Sequence, residues 1–522
     1  MAVHVFLLWL VSIPLLVHAV HPPPRGFLLN CGSSEEVKHG ALKFVPDDSF
    51  VFVGNKSTIK EPDVDPILST LRYFPDNSSR KHCYVFPAIK EGKFLIRTTY
   101  YYGGFDGGKE PPVFDQIIDG TKWSTVNTTE DYANGLSSYY EIIVTAHAKT
   151  LSLCLARNGN TISSPFISAV EVYALENSLY NATDFVSYGL ATVARNSFGY
   201  GGDPISFPDD QFNRLWQPFK DENPVVSTRS NITSAEFWNM PPEKALTSAL
   251  TNSRGKTLTI KWPPFPLPQS NYYIALYFQD NRNPGPYSWR VFNVAVNGKE
   301  FYRELNVSAS GVTVYSPQWP LSGQTEIVLT PVSDASVGPV INAGEIFQIM
   351  RVQGRTLTRD VMALEQISRG FNYPPSDWHG DPCLPKKLQW TGLECSYRGK
   401  YARVIALNLT GVGVGGQLSG SIDDLTAIRS IWLGGNKIKG LFPNMTALKS
   451  LESLHLDNNQ LQGQIPKSLE QLPRLRELFV QGNNLEGTIP THLGMRTGMN
   501  LQYSPGNEKL IYVKIMDQTQ AG

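Results

Sequence analysis

The chain has 522 residues, in which 46 Lys+Arg balance 46 Asp+Glu and only 18% of side chains are charged. This neutrality lacks the basic footprint of a nucleic-acid binder, and the length leaves room for roughly three domains at about 150 residues each. Aromatics reach 11%, mostly Tyr (23) and Phe (25), as strand-rich folds prefer.

The N-terminus reads as a secretory signal. Val5 to Val17 is an apolar run of about 13 residues, too short to span a bilayer comfortably, and Val17-His18-Ala19 offers a small-residue cleavage site. A signal peptide is therefore expected over 1–19, although the run lacks a preceding Lys or Arg. Asn55, Asn77, Asn127, Asn181, Asn231, Asn306, Asn408 and Asn444 all head N-x-S/T sequons, which fits a glycoprotein of the secretory pathway.

One pattern occurs twice. Phe94 to Trp123 and Tyr272 to Phe301 each run from an aromatic-rich apolar stretch through a Gly/Pro/Asp loop into a strand-like run. These runs end on Asp119-Gly120 and Asn297-Gly298, residues that supply the positive φ angles of a tight hairpin. Phe114 and Phe292 lie 178 residues apart, and Ile167 to Tyr173 matches Ile341 to Phe347 at an offset of 174. Two landmarks at nearly one offset argue for duplication of a whole domain. Short strands between turn signals, such as Phe50 to Val53, Tyr139 to Thr145 and Leu151 to Leu155, point to a β-sandwich or jelly roll. Trp262 to Pro268 carries four prolines and must be a loop or edge.

A helical segment is expected over Asp360 to Ser368, with Val361, Leu364, Glu365 and Ile367 on one side. Then Cys383 and Cys395, flanked by Trp378, Gly380-Asp381-Pro382 and Trp390, close a loop of about 13 residues as a disulfide worth roughly 3 kcal/mol. A metal site there would have only His379 to add. Cys31, Cys83 and Cys154 permit three pairings, and the spacing does not choose among them.

A second repeat follows. Leu407-Asn408-Leu409, Ile431-Trp432-Leu433, Leu454-His455-Leu456 and Leu478-Phe479-Val480 recur at spacings of 24, 23 and 24. Asn436, Asn459 and Asn483 follow the last three copies in a fixed phase, the leucine-rich pattern of one short strand per turn. Past Pro490 the pattern fades, and Ile511 to Met516 is only a short apolar patch. With no later apolar run of 18 residues, the chain as given is expected to end outside the cell, in the secretory pathway or at the plasma membrane.

Signal, duplicated β module, Gly-Asp-Pro-Cys segment and leucine-rich block resemble, in this order, the ectodomain of plant malectin-like/leucine-rich-repeat receptor-like proteins. The resemblance rests on Leu29-Asn30-Cys31-Gly32, Arg72-Tyr73-Phe74-Pro75, Phe94-Leu95-Ile96-Arg97, Tyr101-Tyr102-Gly103, Asp106-Gly107, Phe114-Asp115, Pro165 to Glu171 and Gly380-Asp381-Pro382-Cys383. It implies a mainly β chain: malectin-like modules at 27–176 and 181–353, a helical/disulfide cap at 356–400, leucine-rich repeats at 401–493 and a tail at 494–522. The namesake animal domain binds a glucose disaccharide through an aromatic-lined site, and many plant relatives carry a membrane helix and a cytoplasmic kinase. This sequence shows neither, as a secreted paralogue or a truncated product would. A non-catalytic recognition role without cofactor is expected.

Two sites follow. Tyr100, Tyr101, Tyr102, Phe105 and Asp106 would bind a glucan or cell-wall oligosaccharide, rings stacking on sugar faces and polar groups meeting hydroxyls. Against this, alternate tyrosines can simply be core. The first copy keeps these tyrosines, the Gly/Asp loop and three cysteines, whereas the second has Asn281 to Pro286 in its loop, so the first is the better sugar candidate. In the leucine-rich block, Asn408, Trp432, His455 and Phe479 form an outward column flanked by Ser430, Gly434, Ser453, Asp457, Glu477 and Gln481. Exposed aromatics there suit a partner protein, such as a receptor kinase or a secreted peptide, although stacking from repeat to repeat would use the same rings. Gly411 to Gly416 fits G-x-G-x-x-G but lies in a turn without a βαβ unit. No nucleophile elbow, H-E-x-x-H or phosphate loop occurs, and Glu35-Glu36 and Asp209-Asp210 read as solvated loops rather than a glycosidase pair.

Overall fold

A computed structural model of the chain describes residues 24–512, apart from 76–79, 109, 228–231, 233, 235–236, 281, 283–288 and 400. The expected signal peptide, the sequons at Asn77 and Asn231, and most of the Asn281 to Pro286 loop lie outside the described residues. So does the stretch from 513 to 516 of the apolar patch that begins at Ile511.

The duplication is visible strand by strand. In the first copy, His82–Pro87, Thr150–Arg157, Phe114–Ile118 and Thr121–Val126 form a four-stranded antiparallel sheet; Leu258–Lys261, Glu326–Pro331, Val291–Val296 and Lys299–Asn306 repeat that order in the second. Both hairpins turn as their sequences require, with φ +42° and +81° at Asp119-Gly120 and +49° and +71° at Asn297-Gly298.

The remaining long strands join into one sheet. Its first half runs Gly26–Asn30, Ala169–Leu175, Lys93–Tyr100, Ser138–Thr145. The second half repeats this order as Tyr188–Phe198, Ala343–Arg351, Leu267–Phe278, Val312–Gly323. The seam is the pairing of Ile142 with Ala191 and Ile143 with Leu190, so the second copy's first strand closes the first copy's open edge.

Strand alternation explains why this sheet is buried on both faces. Ile96, Ile142 and Val172 of the first copy, and Ile274 and Ile346 of the second, face the two small sheets and form two separate cores. Leu95, Ile143, Tyr173, Tyr273 and Phe347 point the other way, where a connecting segment carrying Tyr180, Trp216 and Leu246 covers them. Trp262, at the head of the proline-rich stretch, is also core, set edge-on to Phe198 at 5.2 Å; Leu267 and Pro268 already belong to the next strand.

The helix spans Thr358–Gly370, two residues longer at each end than expected, and buries Asp360, Ala363, Leu364 and Ile367. Its inward face is therefore rotated from the apolar pattern, because Asp360 accepts from Arg403 Nε (2.9 Å) and the Val404 backbone N–H (3.0 Å).

In the leucine-rich block, Tyr401–Asn408, Ser430–Trp432, Ser453–His455 and Glu477–Phe479 pair in parallel, one per turn. Each asparagine stitches neighbouring turns: Asn436 Nδ2 donates to the Leu409 and Leu433 carbonyls (2.8 and 2.9 Å), and its Oδ1 accepts from Gly413 and Val414. The parallel pairing continues past residue 493. Asn500–Gln502 and Lys509–Ile511 add another turn, with Asn507 donating to the Val480 carbonyl at 2.7 Å. Few large aliphatic residues mark this turn, so the apolar pattern fades before the backbone pattern does.

Candidate functional site

The tyrosine triplet expected to present open rings is buried. Tyr100 and Tyr102 are 0% and 1% exposed, and Tyr101 is 7% exposed. Tyr100 ends its strand inside the core, donating to Gln116 Oε1 at 2.9 Å with Phe114 and Phe166 edge-on to its ring. Gly103 and Gly104, at φ +50° and +61°, then turn the loop so that Phe105 covers Tyr102 at 5.6 Å. Asp106 is exposed, but its carboxylate already accepts from Tyr102 Oη, Ser163 Oγ and the Gly108 N–H. Desolvation pushes its pKa up, yet the Ser163 and Tyr102 hydrogen bonds outweigh that and hold it below its ordinary value. The half-buried rings here are Tyr73 (5.1 Å from Phe105), Phe105 and Tyr132 (5.0 Å from Tyr102), beside Glu61, which accepts from Tyr101 Oη. Tyr132 and Glu61 lie far from the triplet in sequence, and no local signal marks them.

The leucine-rich column forms as its spacing predicts. Asn408, Trp432, His455, Phe479 and Gln502 align in register, and the rings at 432, 455 and 479 are half-buried. His455 stacks on Phe479 at 4.1 Å, and Trp432 lies 6.1 Å from His455. Ser453 ties the column together: Trp432 Nε1 donates to its Oγ (2.9 Å), and Oγ donates to Glu477 Oε2 (2.8 Å). Repeat-to-repeat stacking and outward presentation thus coexist. Asp457 and Glu477 give this face an acidic flank.

The order of blocks is held by a tight junction. Cys383–Cys395 is a disulfide as expected, and Cys83 bonds Cys154, leaving Cys31 as a buried free thiol. Gly380 lies flat on the Cys83–Cys154 bridge, where an added Cβ would come 3.0 Å from both sulfurs. Lys81, buried, donates to the carbonyls of Asp381 (2.6 Å) and Leu384 (2.9 Å), and burial lowers its pKa to about 8. Beside this contact is a cleft of about 380 Å³ lined in part by Phe52, Asp119, His147, Glu365, His379 and Trp390. Asp119 accepts from the Ser152 N–H at 2.8 Å, but desolvation, with a smaller push from Asp381, drives its pKa up to about 7.

This gives a pH expectation with a definite sign. A carboxyl whose folded pKa lies above its ordinary 3.8 contributes stability below that value and loses it as pH rises through about 7. His147 and His379, whose pKa values burial lowers, act in the opposite sense, so wild type alone is ambiguous. The melting temperature of wild type minus that of Asp119→Asn should therefore fall between pH 4 and pH 7; a flat difference would remove the assignment.

Two paired acids read as solvated loops are also resolved. Asp209 is exposed and pairs with Lys244, but Asp210 is buried, holding Arg214 at 2.9 Å and accepting from Trp216 Nε1 at 2.7 Å. Ion-pairing, not solvation, accounts for it.

A large antiparallel β region followed by a leucine-rich block defines a mainly β protein of two kinds of repeat. The chain belongs to the malectin-like family, whose domain matches residues 29–349; the leucine-rich repeat family matches residues 426–485. Among curated relatives, the probable LRR receptor-like serine/threonine-protein kinase At1g51810 of Arabidopsis thaliana is 30% identical over 451 residues, 81% of this chain and 49% of its own. The Arabidopsis receptor-like protein kinase At3g21340 is 31% identical over 450 residues, 82% of this chain and 49% of its own. The chain thus spans about half the length of the curated relatives it matches. Among solved structures, the ANXUR1 extracellular domain from Arabidopsis thaliana superposes with a TM-score of 0.53 at 17% identity, covering 62% of this chain and 97% of that one. The complex of the plant peptide RALF23 with FER and LLG2 gives 0.50 at 17%, covering 63% and 96%. These likenesses show a shared fold. Among the described residues, no helix is long and apolar enough to cross a membrane.

Proposed function

We propose that this chain is a non-catalytic, receptor-like extracellular recognition protein whose leucine-rich face docks a partner protein. The observation that carries the reading is the half-exposed Trp432–His455–Phe479 column, fixed on parallel strands and flanked by Asp457 and Glu477. Large rings held in one rotamer lose little entropy on binding, which is why aromatic anchors dominate interface energetics. The FER complex with RALF23 and LLG2 makes a receptor kinase or secreted peptide a reasonable partner class. The described sequon asparagines, Asn55, Asn127, Asn181, Asn306, Asn408 and Asn444, are all exposed, as glycosylation in the secretory pathway requires. The two strand-for-strand copies support tandem jelly-roll sandwiches at 27–176 and 181–353. The stacked turns support a solenoid preceded by a cap at 356–400.

The test is co-precipitation from plant membrane extracts with wild type and the Trp432→Ala/Phe479→Ala double variant. Loss of a partner by at least tenfold, with an unchanged far-ultraviolet spectrum, is expected. An identical partner set would count against the reading.

Carbohydrate binding is the second reading, moved outward from the buried tyrosines to Tyr73, Phe105 and Tyr132, with Asp106 and Glu61 oriented beside them. A glycan array of glucans and cell-wall oligosaccharides that stays blank would remove it.

A further inference from the structure

A broad groove of about 1390 Å³ opens where four parts of the chain meet: the first β copy, Val186 to Tyr188 at the start of the second, the 351–354 connection and the disulfide-closed cap. That volume exceeds the range of small-molecule pockets, which end near about 1,000 Å³, and suits a polymer segment. Its charged lining is one-sided. Lys122, Arg157, Arg351, Lys386 and Lys387 face a single acid, Asp115, a local excess of four positive charges (five minus one). The chain as a whole is neutral, so this is a concentration of charge rather than a general property.

The acid is already committed. Asp115 accepts from Lys122 Nζ at 2.8 Å, Thr125 Oγ1 at 2.9 Å and Asn158 Nδ2 at 2.9 Å. Arg351, Lys386 and Lys387 are exposed and form no ion pair among the described residues. Lys386 instead rests on the Tyr397 ring, 4.5 Å from its centroid. Like charges gathered in a concave site raise the local potential and attract an oppositely charged ligand.

We infer that this groove is a docking site for an acidic peptide segment, extended and rich in Asp or Glu. A sugar polymer is the poorer occupant. Pyranose chains need open aromatic faces, and of the two rings lining the groove, Tyr397 is capped by Lys386, leaving Tyr188 alone. A peptide needs cations for its carboxylates and room along its backbone, which the groove offers. The site is separate from the leucine-rich column and does not depend on it.

The test uses the full chain and a fluorescein-labelled decapeptide of alternating Asp and Glu, with its Asn/Gln counterpart as control, read by anisotropy. The acidic peptide should bind, and the neutral one should bind at least about tenfold more weakly. Affinity should fall as salt rises from 50 to 300 mM, as screening requires. Lys386→Glu/Lys387→Glu should weaken binding about tenfold, and Arg351→Glu should do so independently. All three positions are exposed, so the variants should fold as wild type does. Trp432→Ala/Phe479→Ala should leave acidic-peptide binding unchanged, which separates this site from the partner face. Equal binding of both peptides, no binding, or indifference to the charge reversals would overturn the proposal. So would displacement of the peptide by an acidic oligosaccharide at concentrations below those at which the peptide itself binds.

Discussion

Arg195→Ala should cost about 3–5 kcal/mol of folding stability, because it strips the cation from between two buried carboxylates. Arg195 Nη1 donates to Glu141 at 2.5 Å and Nε to Glu345 at 2.7 Å, and all three side chains are at most 1% exposed. Arg97 extends the row, meeting Glu141 at 2.8 Å and Glu171 at 3.2 Å. Across the shared sheet the order is Glu171, Arg97, Glu141, Arg195, Glu345, one alternating ladder crossing the seam between the copies. Strand registry places Arg97 beside both Glu141 and Glu171, and Arg195 beside Glu345, while Glu141 and Arg195 meet across the seam through their side chains. Burial alone would raise the Glu141 pKa, but Arg195 and Arg97 outweigh it and hold the carboxyl below its ordinary value, hence ionised. Removing Arg195 leaves Glu345 without its cation and Glu141 with Arg97 alone to compensate it, the costly case for a buried pair. Neutralising all three with Arg195→Met, Glu141→Gln and Glu345→Gln should recover much of the loss. Denaturant unfolding measures both. A cost below about 1 kcal/mol for the single variant would mean that water reaches the ladder.

None of this ladder was legible from periodicity, although its members were visible as charges inside apolar strands. Alternation assigns such residues to a solvated face, and that rule assumes only one face is covered. Here the segment around Tyr180, Trp216 and Leu246 covers the second. Asp210, which lies within that covering segment, is likewise buried by its bonds to Arg214 and Trp216. By contrast, features set by local chemistry were readable: the Asp-Gly and Asn-Gly hairpins, the asparagine ladder, the Cys383–Cys395 closure and the Trp432 column. Each depends on neighbours at fixed sequence distance. The pairing of Cys83 with Cys154 was not readable, because it depends on which strands become partners.

That pairing carries the other large expected effect. Cys83 and Cys154 face each other in register on adjacent antiparallel strands, 71 residues apart in sequence. Closing a loop of that length removes unfolded-state entropy worth about 4 kcal/mol, against about 3 kcal/mol for the 12-residue separation of Cys383 and Cys395. Cys83→Ala/Cys154→Ala should therefore destabilise the first copy by about 4 kcal/mol in denaturant melts. It should also loosen the junction, since the sulfurs form the surface on which Gly380 rests, and amide exchange should rise through 377–384. Cys383→Ala/Cys395→Ala should act on the cap and leave the first copy's core protected. Cys31 supplies the internal count. It is fully buried, which pushes its thiol pKa up, so it should resist alkylation in the folded protein. After unfolding without reductant, one thiol per chain should react. Three reactive thiols would sink the Cys83–Cys154 bridge and with it the expected loss of stability.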